Sequence, residues 1–544
     1  MKKTLLILTL FFSVFSLKAQ TEDAWVYFTD KPSEKEFLSS PLKMLTQRSL
    51  DRRIRYNISL DFKDIPVEES YVLQLKTTEG IKILARSKWL NALHVQGSQE
   101  AITSLLDNNF VASIQFANKS LSSIEKGSTS KKTVSKKNKF EVLTDFDYGK
   151  GATQINIMKG EVLHENNFTG EGVQIAVIDG GFPNVDTFLS FERIRNNNQI
   201  LGGYDFVNRD SNFYTGDSHG ATVLSTIAGY VEDEFVGTAP DAHFYLFISE
   251  DVDIESPLEE SLWVEAAEKA DSLGVDIINT SLGYSTFDNP DYDYTYEDMD
   301  GNTAFISRGA EIAFSRGMIL VNSAGNEGTD AWHYVTAPAD SKSVLSVGAV
   351  YSFGVIAVAP FSSFGPTADG RLKPDVSAIG AFGTGIDASG NVTRSLFGTS
   401  FASPILAGSI ACLWQAFPQK TNAEITQLVK ESAHLYLNPT DQQGYGVPNF
   451  ETIFNILIEE IPEIELENVQ PFPNPVENEL NFKFSTSTVS EVEVVIYNLL
   501  GQMVSKEMVS KLYPVKDISY LAKGVYLLQL SYNNQKQTIK LIKK

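Results

Sequence analysis

The chain has 544 residues, of which 42% are hydrophobic and 21% charged, an ordinary balance for a soluble globular protein with room for roughly three or four domains. Its 45 basic and 68 acidic side chains give a formal net charge of −23, which argues against nucleic acid or an anionic membrane as the main partner.

The first segment has the pattern of a secretory signal peptide. Met1-Lys2-Lys3 precedes an apolar run over residues 5–17, and Lys18-Ala19-Gln20 follows it. Residues 1–19 are therefore predicted to be removed by cleavage after Ala19. No later apolar run reaches the ~18 residues that a membrane-spanning helix requires, so we expect an exported protein that is not embedded in a membrane.

Residues 20–117 are predicted to form a small α+β unit. Apolar strand-like runs occur at 24–28, 81–84, 90–95 and 110–116, and helical patterns at 42–54 and 98–107. Four strands and two helices in this order predict a ferredoxin-like fold. A linker over 118–144 follows, rich in Ser and Lys; a basic patch for polyanions is the alternative interpretation.

Residues 145–457 alternate apolar runs with amphipathic helical patterns. The clearest strands are predicted at 173–178, 242–248, 275–278, 318–321 and 344–347. This alternation predicts an α/β domain with a parallel sheet covered by helices, whose strand ends carry the chemistry. An acidic linker, 458–468, then leads into short alternating strands over 469–544, which predict a small β-sandwich.

Three polar residues stand at element boundaries in the α/β domain. The strand 173–178 ends at Asp179, His219 stands at the start of a helix, and Ser400 opens a long apolar helix. Singly, each is more often structural: a strand-end cap, a core histidine and a helix cap. Together they are the groups that nucleophilic catalysis needs, because an imidazole takes the proton of an alcohol and a carboxylate stabilises the imidazolium. We expect Pro404 in the first turn of the apolar helix, where its missing N–H leaves no hydrogen bond unmade.

The order Asp, His, Ser and the surrounding motifs resemble the subtilisin-like serine proteases, or subtilases. The motifs are Asp179-Gly180-Gly181, His219-Gly220-Ala221-Thr222-Val223 and Gly398-Thr399-Ser400-Phe401-Ala402-Ser403-Pro404. The resemblance implies a subtilisin-like parallel sheet with helices on both faces. It also implies a secreted endopeptidase that cuts protein or peptide substrates through an acyl-enzyme on Ser400, with His219 as base, Asp179 as its orienter and no required cofactor.

The resemblance extends to the rest of the cleft. Asn326 matches the family's oxyanion donor, which acts with the backbone N–H of Ser400; a loop asparagine in a left-handed conformation is the structural alternative. Ser281-Leu282-Gly283 is similar to the strand edge against which subtilases bind an extended peptide, and Ala324-Gly325 to the opposite wall of the primary specificity pocket. Many relatives carry hydroxyl residues where this chain has Gly180 and Ala221, so we expect tuned rather than lost activity.

The flanking regions resemble companions of this family. Residues 24–117 look like the propeptide that chaperones and then inhibits secreted subtilases, with the run Arg86 to Asn91 similar to Bacteroidetes examples. Residues 469–544 resemble the type A sorting domain of the type IX secretion system, through Pro473-Asn474-Pro475 and Gly524-Val525-Tyr526. The resemblance implies Sec and type IX export to the cell surface or beyond, removal of the tail, and a propeptide cut between about residues 116 and 151, by the enzyme itself.

The acidic, tyrosine-rich insert 288–300 follows the substrate-edge motif. We interpret it as a rim of the cleft that favours basic or bulky residues near the cut; a solvated acidic loop is the alternative. Asp298 and Asp300 with Asn302 are a candidate calcium site, although the segment lacks the closing glutamate of an EF-hand loop. Cys412 is the only cysteine, which excludes an intramolecular disulfide, and we interpret it as a small buried hydrophobe.

Two rival functions remain open at this point. A surface-displayed binding protein would keep the subtilase scaffold without turnover, but all four catalytic residue types are present in this chain. An esterase usually carries its nucleophile in a Gly-x-Ser-x-Gly elbow, which is not found around Ser400.

Overall fold

The computed structural model describes residues 21–121, 146–459, 469–484, 490–499, 501–532 and 535–544. The predicted signal peptide lies outside the described residues, as do most of the predicted linker 118–144 and nearly all of the linker 458–468. The exact domain boundaries therefore stay predictions. Within the described part, no helix is both long and apolar enough to cross a membrane.

Within residues 21–121, the N-terminal unit contains four α-helices and a four-stranded antiparallel sheet. Its strands are β1 (Thr21–Phe28), β2 (Lys82–Ser87), β3 (Ala92–Ser98) and β4 (Val111–Phe116), and its helices are α1 (Glu34–Ser39), α2 (Gln47–Arg55), α3 (Glu69–Lys76) and α4 (Gln99–Ser104). Two of the helices, α3 and α4, cover one face of the sheet. The strand order is β2-β3-β1-β4, which confirms the predicted ferredoxin-like arrangement.

The helix predicted over 42–54 is present as α2, but it does not cover the sheet. Its sequence is mostly polar and its Ile54 is exposed, so it offers little apolar surface. The sheet is covered instead by α3, which the sequence analysis did not predict, together with α4. Val72 of α3 and Ile102 of α4 are buried against the strands. The helix α2 turns its basic last turn toward the following domain.

The central domain is built on a largely parallel sheet of eight strands. Its strands and small hairpins are β5 (Gln174–Asp179), β6 (Ile200–Asp205), β7 (Tyr230–Val231), β8 (Phe235–Val236), β9 (His243–Ile248), β10 (Ile277–Thr280), β11 (Ile319–Ser323), β12 (Leu345–Ser352), β13 (Ile356–Val358), β14 (Val376–Ile379), β15 (Ala381–Ile386) and β16 (Val392–Phe397). The order is β13-β12-β11-β10-β5-β9-β6, with β14 beside β12. All five strands predicted for this domain are confirmed as β5, β9, β10, β11 and β12.

Helices cover both faces of this sheet, as the fold prediction required. The helices of the domain are α5 (Ala152–Asn156), α6 (Glu161–Glu165), α7 (Glu192–Asn196), α8 (His219–Ala228), α9 (Pro257–Leu273), α10 (Phe305–Ser315), α11 (Thr399–Ala416), α12 (Asn422–Glu431) and α13 (Phe450–Glu459). Alternate residues of β5 show the two layers: Ile175 and Val177 join the core beneath α8 and α11, while Ala176 and Ile178 join the core beneath α9 and α10.

Single-turn 3₁₀ helices lie at Pro41–Lys43, Phe62–Asp64, Leu105–Asp107, Lys119–Leu121, Leu189–Phe191, Pro290–Tyr292 and Tyr296–Asp298.

The C-terminal unit has two antiparallel sheets that enclose one apolar core, as a small β-sandwich does. One sheet contains β17 (Val469–Phe472), β18 (Glu479–Phe484) and β21 (Val515–Asp517); the other contains β19 (Glu491–Asn498), β20 (Met503–Ser510), β22 (Gly524–Tyr532) and β23 (Gln535–Lys543).

The open face of the N-terminal sheet packs on α9 and α10 of the central domain. Trp25 stacks on Phe305 with ring centroids 4.9 Å apart, and its Nε1 donates to Ser261 Oγ at 2.8 Å. The carboxylate of Glu268 accepts hydrogen bonds from Ser87 Oγ at 2.7 Å and from the backbone N–H of Trp89 at 2.9 Å. Trp25 and Trp89 of the N-terminal unit therefore share one apolar cluster with residues of α9 and α10.

A buried ion pair also joins the two units. Asp271 on α9 accepts hydrogen bonds from Arg52 Nη2 at 2.5 Å and from Arg53 Nη2 at 2.8 Å, and all three side chains are at most 3% exposed. Burial by itself raises the pKa of Asp271, but Arg53 and Arg52 lower it below its usual value. The carboxylate is thus charged and offsets the burial of the Arg52 guanidinium and, together with Asp64, that of Arg53.

Helix α11 carries the predicted nucleophile and is buried along all 18 residues. Ser400 is its second residue and Pro404 its sixth, so the expectation that the proline lies in the first turn is wrong. An ordinary residue at 404 would donate its N–H to the carbonyl of Ser400. Ser281, which follows β10, replaces that donor: its Oγ donates to Ser400 O at 2.8 Å, and the Ser400 hydroxyl donates to Ser281 O at 3.2 Å. The proline thereby frees a carbonyl that ties the helix to the strand end.

We predict that Asp271→Ala weakens docking of the N-terminal unit, because it leaves the buried Arg52 guanidinium without its counter-ion and Arg53 with Asp64 alone. The free energy of unfolding should fall by about 3–5 kcal/mol. Denaturant unfolding of the full chain measures this in a Ser400→Ala background, which prevents self-cleavage. The control is Glu36→Ala, which breaks an exposed pair with Lys43 and should cost less than about 1 kcal/mol. Equal small losses for both variants would contradict the prediction.

We predict that Ser281→Ala lowers the free energy of unfolding by about 1–3 kcal/mol, because the buried Ser400 carbonyl loses its donor. The same change in a Pro404→Ala background should cost less, since the alanine restores an N–H to that carbonyl. Denaturant unfolding of the four chains of this cycle, all carrying Ser400→Ala, gives the coupling. Equal losses in the two backgrounds would show that the proline and Ser281 act independently.

Candidate active site

The strand β5 delivers Asp179 to the carboxyl edge of the sheet, where the side chain is buried. Its Oδ1 lies 2.8 Å from His219 Nδ1 and accepts the backbone N–H of Gly180 at 2.8 Å. Its Oδ2 is buried and has no hydrogen-bond partner among the described residues. Gly180 and Ala221 have no hydroxyl that could donate to this oxygen. The two departures from the family pattern are therefore consistent with an Asp179 Oδ2 that has no donor.

His219 is the first residue of α8, and its side chain is 33% exposed. The carboxylate of Asp217 accepts the backbone N–H of His219 at 2.7 Å, so an acid two residues before the helix fixes its start. The backbone N–H of Asp217 in turn donates to Gly180 O at 3.0 Å, which holds the histidine and aspartate loops together. Since Nδ1 is occupied by Asp179, Nε2 is the ring nitrogen left for a reacting group.

Ser400 lies close to this pair. The ring of Phe401, the next residue, is 5.9 Å from the His219 ring, so the starts of α8 and α11 meet. The Ser400 side chain is nearly buried, with a relative exposure of 7%. Its hydroxyl forms its hydrogen bond with the Ser281 carbonyl in this structure. The preceding Gly398 has φ of 149°, which favours glycine at this position.

Asn326 lies on the exposed loop that follows β11. Its Oδ1 accepts the backbone N–H of Thr399 at 2.8 Å, which leaves Nδ2 as the free donor of the amide. Thr399 also ties down the neighbouring residue, because its Oγ1 accepts the backbone N–H of Gly325 at 3.2 Å. The sequence analysis did not assign Thr399 a role; its place between Gly398 and Ser400 in the motif was the available signal.

The two predicted substrate walls lie on neighbouring strand ends. Ser281 is buried, Leu282 half-buried and Gly283 exposed, and the carbonyl of Leu282 accepts Asn322 Nδ2 at 3.1 Å. On the other wall Ala324 is buried, while Gly325 has φ of 114° and a Cβ there would lie 2.4 Å from Glu327 Oε2. The tight fit explains why glycine is required at 325.

A buried acid beside the cleft was not predicted. Glu250 follows β9, and its Oε1 accepts hydrogen bonds from Tyr284 Oη at 2.5 Å and from Ser249 Oγ at 2.8 Å. Burial raises the pKa of Glu250 to about 8. The backbone N–H of Ser249 donates to Asp179 O at 3.2 Å, so this acid stands next to the strand end that carries Asp179. A Glu directly after a buried parallel strand was the sequence signal.

The candidate calcium residues already have hydrogen-bond donors. Asp298 Oδ2 accepts Thr295 N and Lys119 Nζ, each at 2.7 Å, and Asp300 Oδ1 accepts Asn302 N at 2.7 Å. Within the described residues, no group of three or more His, Cys, Asp or Glu side chains is arranged to hold a metal ion. Calcium binding stays an untested prediction.

Cys412 is buried, and burial raises the pKa of its thiol.

Comparison with known families divides the chain into three matched regions. Residues 170–446 match the subtilase family, peptidase S8. Residues 23–137 match the peptidase S8 propeptide domain of Bacteroidota, and residues 470–544 match the secretion system C-terminal sorting domain. The sorting domain is that of the type IX system and indicates a protein that is secreted or displayed at the cell surface.

Individual relatives agree with the family matches. Subtilisin NAT of Bacillus subtilis subsp. natto is 32% identical over 300 residues, which are 55% of this chain and 69% of the relative. A subtilisin of Bacillus pumilus is 31% identical over 55% of this chain and 96% of its own. Serine protease AprX of Bacillus subtilis (strain 168) is 29% identical over 55% of this chain and 68% of its own.

Among solved structures, fervidolysin from Fervidobacterium pennivorans superposes with a TM-score of 0.52 and 16% identity, over 96% of this chain and 73% of that one. At that identity the match supports the fold alone. With the family matches and the relatives, it identifies the chain as a member of the subtilase family, a subtilisin-like serine protease that carries its own propeptide domain and a type IX secretion sorting domain.

Proposed function

We propose that this subtilase is a secreted endopeptidase that hydrolyses peptide bonds through an acyl-enzyme on Ser400. The single observation that carries the proposal is the 2.8 Å pair of Asp179 Oδ1 and His219 Nδ1, which stands where the helix of Ser400 begins. The pair orients the imidazole and stabilises its charged form. The Ser400 hydroxyl donates to the backbone carbonyl of Ser281 in this structure.

In the proposed reaction the Ser400 hydroxyl leaves the Ser281 carbonyl and turns to His219 Nε2. The imidazole takes the proton as Oγ attacks the substrate carbonyl, then gives it to the leaving amine as the C–N bond breaks. Water cleaves the ester in the reverse sense, and Ser400 recovers its proton. Asp179 keeps His219 in the tautomer that this sequence of transfers needs.

The oxyanion that forms is proposed to accept hydrogen bonds from Asn326 Nδ2 and the backbone N–H of Ser400. Thr399 holds the amide of Asn326 so that its donor is already directed before substrate arrives. One such donor is worth about 2.7–4 kcal/mol in the transition state, by analogy with a subtilisin. Ser400 N lies in the first turn of a buried helix, where the helix dipole favours negative charge.

The substrate is proposed to bind as an extended strand against Ser281-Leu282-Gly283, with Ala324-Gly325 forming the facing wall. Main-chain hydrogen bonds supply affinity with little sequence preference, which suits an enzyme that cuts varied proteins. The mechanism draws only on side chains and backbone groups of this chain. A calcium ion, if bound near Asp298 or Asp300, would have a structural role.

A fluorophosphonate probe tests the nucleophile directly. We expect the wild-type enzyme to be labelled and Ser400→Ala to remain unlabelled, because the probe phosphonylates an activated serine. Ser395→Ala, which removes an exposed serine five positions earlier, should be labelled as wild type. In addition, Ser400→Ala expressed alone should retain its propeptide. Labelling of Ser400→Ala refutes the assignment, and a wild-type protein that takes no label supports a non-catalytic binding protein.

The pKa of His219 sets the low-pH limit of activity. Burial lowers this pKa, but Asp179 and then Asp217 raise it above its usual value. Only the neutral imidazole acts as a base, so kcat/KM should fall as the pH drops through that pKa.

We predict that Asp217→Asn shifts the low-pH limb of kcat/KM to lower pH. Asparagine keeps an acceptor for the His219 backbone N–H but removes a negative charge that favours the imidazolium. Because Asp217 is exposed, the shift should be modest, roughly 0.3 pH unit. A pH profile of peptide hydrolysis measures it, with Glu232→Gln as a control for loss of an exposed acid elsewhere on the domain. A limb that moves to higher pH would contradict the prediction.

A further inference from the structure

The insert 288–300 binds a lysine of the propeptide. Lys119, in the last described turn of that domain, donates from Nζ to Asp298 Oδ2 at 2.7 Å and to the backbone carbonyl of Asp293 at 2.9 Å. The same nitrogen lies 4.2 Å from the ring centroid of Tyr294. We call these three groups, the Asp298 carboxylate, the Asp293 carbonyl and the Tyr294 ring, the Lys119 socket. A carboxylate, a carbonyl and an aromatic face together select a cationic side chain.

The socket is held in shape by bonds that do not involve Lys119. Thr295 donates to Asp298 Oδ2 from its backbone N–H at 2.7 Å and from its Oγ1 at 2.8 Å. The hydroxyl of Tyr294 donates to Glu260 Oε1 at 2.6 Å, which fixes the ring. The Asp293 carboxylate accepts the backbone N–H of Phe287 at 2.8 Å. All of these partners belong to the central domain, so none of these bonds is lost when the propeptide leaves.

The socket is also partly shielded from water. The Asp298 side chain is 13% exposed and that of Lys119 31% exposed in the pair. Burial by itself raises the pKa of Asp298, but its hydrogen bonds with Lys119 and Thr295 lower it below the usual value. With the propeptide bound, solvent screens this ion pair less than it screens a fully exposed one.

The socket lies within reach of a peptide bound at the substrate edge. The backbone N–H of Tyr294 donates to Ser285 O at 2.9 Å, and Ser285 is two residues beyond Gly283. Two residues span at most about 7 Å, and neighbouring strands lie about 5 Å apart, so the backbone of Tyr294 lies within about 12 Å of Gly283. An extended peptide covers that distance in three or four residues.

The direction of the chain follows from Lys119 itself. It stands N-terminal to most of the segment 116–151 in which we place the propeptide cut. A lysine that enters the socket before that cut lies upstream of the scissile bond, and a substrate that binds in the same direction would place its own side chain there.

We propose that, once the propeptide has left, the Lys119 socket binds a lysine or arginine side chain of the protein substrate, upstream of the scissile bond. This inference rests on the proposed function and makes it specific: the peptide-binding edge supplies affinity without sequence preference, and the socket supplies a preference for a basic residue several positions before the cut. The net charge of −23 acts in the same sense, by attracting basic proteins. The acidic insert thus has a defined ligand, first in the propeptide and then in the substrate.

The test is a cleavage profile of the mature enzyme on a peptide library, with products identified by mass spectrometry. We expect Lys and Arg to be enriched at one fixed position upstream of the cut, and replacement of that residue by norleucine in a matched peptide to lower kcat/KM about 5- to 30-fold. Asp298→Asn should abolish the preference, since it removes the charge while keeping an acceptor for Thr295. The control Glu297→Gln removes the charge of the exposed neighbour and should keep the preference.

Lys119→Gln in the full-length chain separates the two uses of the socket. It should speed release of the propeptide, because one anchor is lost, and leave the profile of the mature enzyme unchanged. The inference is overturned if the wild-type enzyme cuts peptides with no upstream basic preference, or if that preference survives in Asp298→Asn. An enzyme that cuts no peptide at all would instead refute the proposed function, and this inference with it.

Discussion

The covering of both sheet faces is the constraint on which the rest of the structure depends. With α8 and α11 on one side and α9 and α10 on the other, the central strands β5, β10 and β11 are buried on both faces, and their polar groups approach solvent at the strand ends. Asp179, Ser281 and Asn326 all lie at or just beyond the carboxyl ends of neighbouring parallel strands. The order of strands thus places the three residues to which we assign the acid, the peptide-binding edge and the amide donor on adjacent strand ends.

Two contacts that are far apart in sequence link the activity of this enzyme to its processing. The Ser281–Ser400 pair joins the proposed nucleophile to the proposed substrate edge, so one pair of hydrogen bonds links the two. The propeptide is anchored on the opposite layer, through Trp25 on Phe305 and through Arg53 on Asp271. Because the insert contacts both α9 and the propeptide, the propeptide covers surface next to the proposed cleft.

Much of this was predictable from the sequence, for reasons that differ from residue to residue. The strand before Asp179 is a run of apolar residues that ends in a carboxylate, and such a boundary is visible without a structure. The ferredoxin-like order followed from four apolar runs and their spacing. The helix α3 was not predicted because it is only eight residues long, although four of these residues are apolar or aromatic. The helix predicted in its place, α2, has a surface that is too polar to cover a sheet.

The remaining features depend on contacts that no local pattern reveals. Lys119 meets Asp298 across 179 positions, and Ser281 meets Ser400 across 119. The local sequence around each of these four residues does not indicate that it has a partner elsewhere in the chain. Pro404 shows the same limit: proline in a helix normally marks the first turn, and only the structure identifies the hydroxyl that replaces its missing donor.

The chain has a single cysteine, Cys412, and this bears on the stability of the protein outside the cell. Cys412 lies within α11, its sulfur 3.2 Å from the Thr238 carbonyl, and it is fully buried. It is therefore inaccessible to oxidants and to other thiols. With one cysteine in 544 residues, folding after export needs no oxidoreductase, and the finished enzyme keeps its shape in reducing and oxidising surroundings alike.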